Sequence, residues 1–250
     1  MKSFGDKPPV RSIEEEEALK VLKEGWNKEV GWIYKEGERA ELPLVFENFY
    51  KEFAVYLEGK KALDIGCGEG RFLIPMLQDG LNVIGMDIAD ERIKKAQANL
   101  ERARNTLKGK VDLLVGDSKK LNFPNESFSY VFAKGSIHHN TWEGVQQSFK
   151  EAVRVLKPGG FFLFQGRSIK DSVLTRAEPI PDVGHTAIDK DGWKAGMIQH
   201  YFTKEELEQL AVENGLEIIV GPEERVKDDG NARWWVVYQK GLGPLSSQPR

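Results

Sequence analysis

A glycine-rich turn between an apolar run and a helical pattern constrains this sequence more than any other feature. The apolar run at 62–65 leads into Gly66, Gly68 and Gly70, and the helical pattern RFLIPML follows at once. Glycine allows positive φ and lets a ligand approach the main chain closely. The N–H groups that begin the next helix point into the same space. The segment therefore predicts a strand, a turn and a helix that together bind a nucleotide-like ligand.

The spacing of this turn departs from the dinucleotide-binding fingerprint. The turn reads G-x-G-x-G, and Arg71 stands where G-x-G-x-x-G requires its third glycine. Asp64 lies two residues before the first glycine. Its carboxylate suits a ligand with an ammonium group better than a ligand with a pyrophosphate. Both departures disfavour an NAD-dependent oxidoreductase.

Strand and helix patterns alternate after residue 60. The strands are expected at 61–65, 81–87, 111–116, 128–133, 160–166, 216–220 and 232–239. The helices are expected at 71–79, 90–104, about 142–156 and 203–214, the last with Thr203 and Glu206 as a capping box. This alternation predicts a parallel sheet with helices on both faces.

Two segments flank or interrupt this alternation. Residues 1–58 are dense in aromatic side chains, with one helical pattern after Ser12 and another after Pro43, and are expected to form an N-terminal helical cap segment. Residues 59–250 form the ligand-binding domain. Within it, about 168–200 lacks periodicity and is too long for an ordinary connection, so we expect a lid-like insertion there.

Composition narrows the functional classes. The net charge of −3 and the absence of a long basic run disfavour a general nucleic-acid binder. Cys67 is the single cysteine, which favours a cytoplasmic protein. No apolar run approaches the roughly 20 residues that span a bilayer, so no membrane partner is expected. No metal-ligand spacing is readable, and no metal is predicted.

Polar residues end the second and fourth predicted strands. Asp87 follows Asp64 by about 23 residues, close to the interval at which a strand-end acid meets ribose hydroxyls. A carboxylate accepts both hydroxyl protons. His138 and His139 follow the fourth strand and are candidate proton acceptors, and a histidine that caps the next helix is the competing interpretation.

The motifs DIGCGEG, GMD, GDS and KPGG, in this order, resemble those of the class I S-adenosylmethionine-dependent methyltransferases, in particular the small-molecule group of the methyltransferase-11 and tellurite-resistance type. The resemblance covers about residues 60–220. It implies an α/β, Rossmann-like fold with a seven-stranded, mostly parallel sheet, an antiparallel last strand and helices on both faces. It also implies S-adenosyl-L-methionine as the cofactor. The implied cofactor-binding residues are Asp64, Gly66, Cys67, Gly68, Gly70, Arg71, Asp87, Ile88, Asp117, Ser118, Lys134 and Gly135.

The resemblance further places the end of the fourth strand opposite the sulfonium, which makes His138 and His139 the catalytic candidates. The substrate-binding candidates are Trp32, Tyr34, Arg167, His200 and Tyr201. Arg167, at the end of the fifth strand, suits a substrate carboxylate or phosphate. The expected acceptor is a small molecule. An RNA methyltransferase and a non-catalytic nucleotide-cofactor-binding module remain alternatives, and the oligomeric state is left open.

Overall fold

The computed structural model describes residues 15–28, 33–35, 59–181 and 184–242. The helix predicted after Pro43 and the candidate Trp32 lie outside these residues. The helices are α1 (Glu15–Lys28), α2 (Leu73–Gln78), α3 (Asp90–Ala103), α4 (Trp142–Val155) and α5 (Lys204–Glu213). The strands are β1 (Lys61–Ile65), β2 (Asn82–Asp87), β3 (Val111–Val115), β4 (Phe128–Lys134), β5 (Leu156–Ser168), β6 (Glu178–Pro179), β7 (Thr186–Ile188), β8 (Ile198–Phe202), β9 (Leu216–Val226) and β10 (Ala232–Lys240).

The predicted α/β fold is confirmed. Five parallel strands run in the order β3-β2-β1-β4-β5. Strand β10 joins β5 in the antiparallel sense, and β9 pairs with the far edge of β10. The last strand is therefore antiparallel to its neighbours, as predicted. The strand order reverses between β1 and β4, and in open α/β sheets ligands bind at this point, beyond the carboxyl ends of the strands.

Within the described residues the sheet has ten strands, so the predicted count of seven is wrong. The three additional strands, β6 to β8, lie largely in the predicted insertion. Strand β8 pairs in parallel with the last two residues of β5, beyond the point where β4 ends, and β7 pairs with β8 in the antiparallel sense. Strands of two to five residues are too short to give a readable alternation in sequence.

Two boundaries also differ from the prediction. Strand β5 begins at Leu156, directly after α4, and contains the Pro-Gly-Gly segment as an irregularity in its pairing with β4. Strand β9 continues past Pro222 to Val226, into residues predicted to form a loop, because they pair with 232–235 of β10.

Apolar clusters pack on both faces of the sheet. One cluster joins the sheet to α4 and α5 and includes Phe149, Phe162 and Leu207. The other joins the opposite face to α2 and α3 and includes Leu73 and Leu100. Side chains alternate between faces along a strand, so charged residues at the carboxyl edge can be assigned to a face. The residues that fall on the α2/α3 face are Asp64, Asp87, Lys134, Arg167 and Arg233.

Helix α1 docks on this face through its carboxyl-terminal turn. The Asn27 side chain donates to the Asp90 carboxylate at 3.3 Å and accepts from the Glu91 amide at 3.2 Å. Lys23 lies 3.3 Å from the same Asp90 carboxylate. These contacts join α1 to the start of α3, beside the carboxyl edge of the sheet. No helix in the described ranges has the length and apolar character needed to cross a bilayer.

Candidate active site

A cavity of about 420 Å³ lies at the carboxyl ends of β1, β2 and β4, where the strand order reverses. This volume is in the range of small-ligand sites. The residues that line it are Leu19, Leu22, Trp26, Ile65, Gly66, Cys67, Gly68, Glu69, Arg71, Phe72, Met86, Asp87, Ile88, Arg92, Gly116, Asp117, Ser118, Lys134, Gly135, Ser136, His139 and Asn140. Ten of the twelve predicted cofactor residues are therefore brought together here.

The glycine turn forms the floor of this cavity. Gly66 has φ of +76°, and a Cβ at this position would lie 2.2 Å from the Cβ of Ser136. The Ser136 hydroxyl donates to the Ile65 carbonyl at 2.6 Å and so holds the segment after β4 against the turn. Only glycine adopts this positive φ readily and also fits the short distance to Ser136. The main chain is consequently exposed to whatever occupies the cavity.

Asp87 joins the turn to the end of β2. Its two carboxylate oxygens accept from the Gly68 and Ala89 amides, each at 2.9 Å. Burial raises the pKa of this carboxyl, and these N–H groups oppose the rise. Each oxygen retains a lone pair for a further donor, and the residue lines the cavity. Asp87 is thus placed to accept hydroxyl protons from a ligand.

Asp64 and Gly70 lie behind the turn and are not among the residues that line the cavity. Asp64 is 3% exposed. Burial and the neighbouring Asp87 raise its pKa to about 7, and Lys134 opposes this. The alternation along β1 places Asp64 on the same face as Lys134, which does line the cavity. Gly70, with φ of +83°, faces Ala96 of α3 and supports the turn from outside the cavity.

Asp117 and Ser118 follow β3 at the far end of the cavity. The Asp117 carboxylate accepts from the Lys119 amide at 2.9 Å, an Asx-type turn. The Ser118 hydroxyl lies 2.9 Å from that of Ser148 in α4. The local turn and a position in the cavity wall therefore occur together at these residues.

Helix α1 closes one side of the cavity by packing Trp26 against a buried ion pair between the glycine turn and α3. Arg92 lies 2.8 Å from the Glu69 carboxylate, and both side chains are 8% exposed. The Arg92 guanidinium also stacks 4.3 Å from the centroid of Trp26, a cation–π contact. Trp26 in turn meets the edge of the His139 ring at 5.1 Å. The ion pair, the indole and the imidazole form one continuous wall.

The two predicted catalytic histidines occupy different positions. His139 lines the cavity, whereas His138 lies behind it, with the ring centroids 4.2 Å apart. Burial lowers the pKa of both imidazoles well below the usual range, and nearby cations lower it further. Both rings are therefore neutral at physiological pH. Neither Nδ1 has a hydrogen-bond partner among the described residues. His139 is the better-placed proton acceptor.

The structure describes four of the predicted substrate residues, and none of these four lines this cavity. Tyr34 packs in the apolar cluster under α2 and α3, and its amide donates to Asn99 at 3.0 Å. His200 and Tyr201 are fully buried in β8, where the His200 ring bonds Thr186 at 2.9 Å. His200 and Tyr201 have packing roles because β8 is an interior strand and not an open loop. Tyr34 has one because it lies in the apolar cluster.

Arg167 lines a second cavity of about 350 Å³. The other residues that line it are Val173, Arg176, Ala177, Asp189, Lys190, Asp191, Gly192 and Lys194. Arg167 is 5% exposed and lies 2.8 Å from the Asp171 carboxylate. This cavity sits between the end of β5 and the segment that precedes β8.

Sequence reasoning missed several lining residues. In the sequence, Glu69 resembles a surface charge of a turn and Arg92 a surface charge of a helix. No sequence pattern indicates that the two side chains pair. Trp26 carries a weak signal, an aromatic residue near the end of an amphipathic helix. Lys194 carries none, because its segment has no periodicity.

Known proteins share these motifs and this fold. Residues 63–164 match the family model described as a methyltransferase domain. A sterol 24-C-methyltransferase of Aspergillus fumigatus is 38% identical over 109 residues, covering 42% of this chain and 27% of that protein. A 27-O-demethylrifamycin SV methyltransferase of Amycolatopsis mediterranei is 30% identical over 146 residues, covering 56% of this chain and 52% of that protein. The chain thus spans about half or less of the length of both relatives.

A solved structure shares the architecture. The crystal structure of a SAM-dependent methyltransferase from Methanosarcina mazei aligns with a TM-score of 0.65 at 23% identity, covering 81% of this chain and 99% of that one. At this level of identity the likeness shows the shared fold.

Proposed function

We propose that this chain, which carries a class I S-adenosylmethionine-dependent methyltransferase domain, transfers a methyl group to a small-molecule acceptor held beside His139. The family predicted from the motifs is confirmed by the match to residues 63–164. S-adenosylmethionine is the methyl donor of that family. The acceptor and the roles of individual residues are the substance of the proposal.

One observation carries the proposal: a single cavity joins the glycine turn, the Asp87 carboxylate and the His139 ring. The first two features suit a nucleoside, because the turn exposes main chain and the carboxylate has lone pairs for two hydroxyls. His139 places its uncharged imidazole ring in the wall of the same cavity. A donor site and an acceptor site are therefore contiguous.

The residues present fit S-adenosylmethionine. Gly66 and Gly68 admit close approach of a ligand, Asp87 suits the ribose, and Asp117 with Ser118 suits the adenine. Lys134, with its ammonium 4.2 Å from the Phe72 ring centroid, lies at the opposite end, where it suits the donor's carboxylate. When bound, the donor supplies a methyl group activated by a positively charged sulfur.

The chain's own contribution is positioning, desolvation and proton transfer. Trp26 and the buried Arg92–Glu69 pair close the cavity from the α1 side and exclude water, which favours a step in which charge is lost. Alignment of acceptor and methyl supplies much of the rate enhancement in such transfers. If the acceptor is a hydroxyl or an amine that must lose a proton, the neutral His139 imidazole accepts it at a ring nitrogen.

A small-molecule acceptor is supported by the relatives and by charge. The two curated relatives are named for a sterol and for a rifamycin, both small molecules. The net charge of −3 is unfavourable for an RNA backbone, which requires a cationic face.

The test is a methyl-transfer assay with S-adenosylmethionine as the donor. Pools of small molecules and transfer RNA are supplied as acceptors in separate reactions. We expect S-adenosylhomocysteine to form with the small-molecule pool and a methylated product to appear in mass spectra. Product formed with RNA alone would replace the proposal with an RNA methyltransferase. Tight binding of S-adenosylhomocysteine without turnover in any pool would favour the non-catalytic binding module.

A further inference from the structure

We propose that the second cavity, lined by Arg167, Arg176 and Lys194, binds an acidic group of the acceptor, a carboxylate or a phosphate. This inference rests on the proposed function, since it treats the second cavity as an extension of the acceptor site. It identifies the acceptor as an organic acid whose charged end lies away from the reacting atom.

The charge around Arg167 is not balanced within the chain. Asp171 is the nearest carboxylate, and it is shared by Arg167 and Arg233, both of which contact its oxygens. The Ala232 and Val173 amides donate to it as well. One carboxylate facing two guanidinium groups leaves a net positive charge in a largely buried position. The Arg167 Nε, also buried, has no hydrogen-bond partner among the described residues.

Two more cationic side chains approach the same cavity. Lys194 lines it from the short helical turn at Gly192–Lys194, and burial together with the positive charge of Arg167 lowers the pKa of Lys194 to about 8. Arg176 lines it from the opposite side and is exposed. Lys194 and Arg176 thus add two cationic side chains to the wall that contains Arg167.

Two acidic residues, Asp189 and Asp191, also line the cavity. Asp189 accepts from the Gln199 amide and is 5% exposed, and burial raises the pKa of its carboxyl. Asp191 is exposed. Lys190, the remaining cation, is paired with Glu178 at 3.4 Å. Arg167, Arg176 and Lys194 line the cavity with guanidinium and ammonium groups, which together suit a carboxylate or a phosphate.

The two cavities share a wall. The Lys194 ammonium lies 5.4 Å from the centroid of Trp26, which lines the first cavity. The positive charges of Lys194 and Arg167 are the two largest charge effects on the pKa of His139. An acceptor with its acidic group at Lys194 thus reaches past Trp26 to the ring of His139. The volume of about 350 Å³ and the apolar Val173 and Ala177 leave space for an organic body beside the anion.

The experiment compares three aromatic probes of similar size on the full chain: benzoate, phenyl phosphate and the neutral benzamide. Calorimetry is performed in the presence and absence of S-adenosylhomocysteine. We expect one or both anions to bind at least about tenfold more tightly than benzamide, the scale of one charge-assisted hydrogen bond. The ratio of the two anion affinities distinguishes a carboxylate site from a phosphate site.

Lys194→Met and Arg176→Gln locate the site, with Lys157→Met as a control at the opposite, exposed end of β5. We expect each of the first two variants to weaken anion binding about tenfold without changing benzamide or S-adenosylhomocysteine affinity. Arg176 is exposed, so its replacement tests the site without threatening the fold. Equal affinity for anions and benzamide, or anion binding unaffected by both substitutions, would overturn the inference.

The two proposals fail in different ways. Loss of anion preference with intact S-adenosylhomocysteine binding would remove the acidic acceptor and leave the methyltransferase proposal standing. Absence of S-adenosylhomocysteine binding would remove the proposed function, whatever the probes show at the second cavity.

Discussion

The amide of Gly68 donates a hydrogen bond to the Asp87 carboxylate at 2.9 Å, which fastens the glycine turn to the end of β2. One residue therefore has two tasks: it fixes the shape of the turn and presents oxygen atoms to the cavity. Most of the other positions proposed to hold the cofactor are arranged around this contact.

Asp87→Ala is expected to weaken S-adenosylhomocysteine binding by at least about 1.5 kcal/mol, because charge-assisted hydrogen bonds to the ribose are lost. Calorimetry measures the affinity, and thermal unfolding of the ligand-free protein reports any loosening of the turn. Asp87→Asn is the matched control, since it keeps one oxygen acceptor and the size of the side chain. Unchanged affinity in the alanine variant would refute the ribose assignment.

Gly66→Ala is expected to destabilise the fold and to abolish cofactor binding, because its Cβ would overlap that of Ser136. Gly215→Ala is the control: its φ of +63° is also positive, but no atom lies within 4 Å of the added Cβ, so only the dihedral cost of about 1–2 kcal/mol applies. Urea unfolding measures both. Adding Ser136→Gly to the Gly66→Ala variant should recover part of the stability. If the double variant is no more stable than the single one, the overlap is not the cause.

His139→Ala is expected to lower turnover about a hundredfold for an acceptor that must lose a proton, the lower range for a general base, and to leave S-adenosylhomocysteine affinity unchanged. His138→Ala should lower turnover much less, because His138 lies behind the cavity wall. Both substitutions remove a buried ring, so thermal unfolding must show that each variant is folded. Full activity of the His139→Ala variant would exclude this ring as the base.

The ligand-free protein should lose stability as pH rises from about 4 to about 7. The pKa of Asp64 rises from 3.8 to about 7 on folding, so the folded state holds more protons than the unfolded state across this window. Asp87, whose pKa is also raised, acts in the same direction. Asp64→Asn should flatten the dependence of the unfolding free energy on pH. An identical slope in the variant would show that Asp64 is ionised in the ligand-free fold.

The features predicted correctly from sequence are those that depend on one short segment. Gly66 is readable because a tight turn between a strand and a helix requires a positive φ, which favours glycine. The parallel strands other than the edge strand β3 are readable because they are largely buried on both faces and appear as apolar runs. Asp87 follows from its position at the end of such a run.

The features missed depend on residues far apart in the chain. Arg92 lies in a helix whose charge pattern resembles a solvated surface, and only the fold brings Glu69 and Trp26 to it. Tyr34 is predicted near the substrate, but its amide contacts Asn99 of α3, a residue far away in the sequence. Lys194 lies in a segment without periodicity, so tertiary structure alone reveals that it faces the second cavity.

The central claim is that the glycine turn and Asp87 hold the nucleoside of a methyl donor, with its sulfur directed to His139. A crystal structure of the chain with S-adenosylhomocysteine tests this most directly. The account predicts ribose hydroxyls within hydrogen-bond distance of the Asp87 carboxylate and the sulfur on the side of the cavity that His139 lines. Density for the nucleoside outside this cavity, or a sulfur directed away from His139, would contradict it.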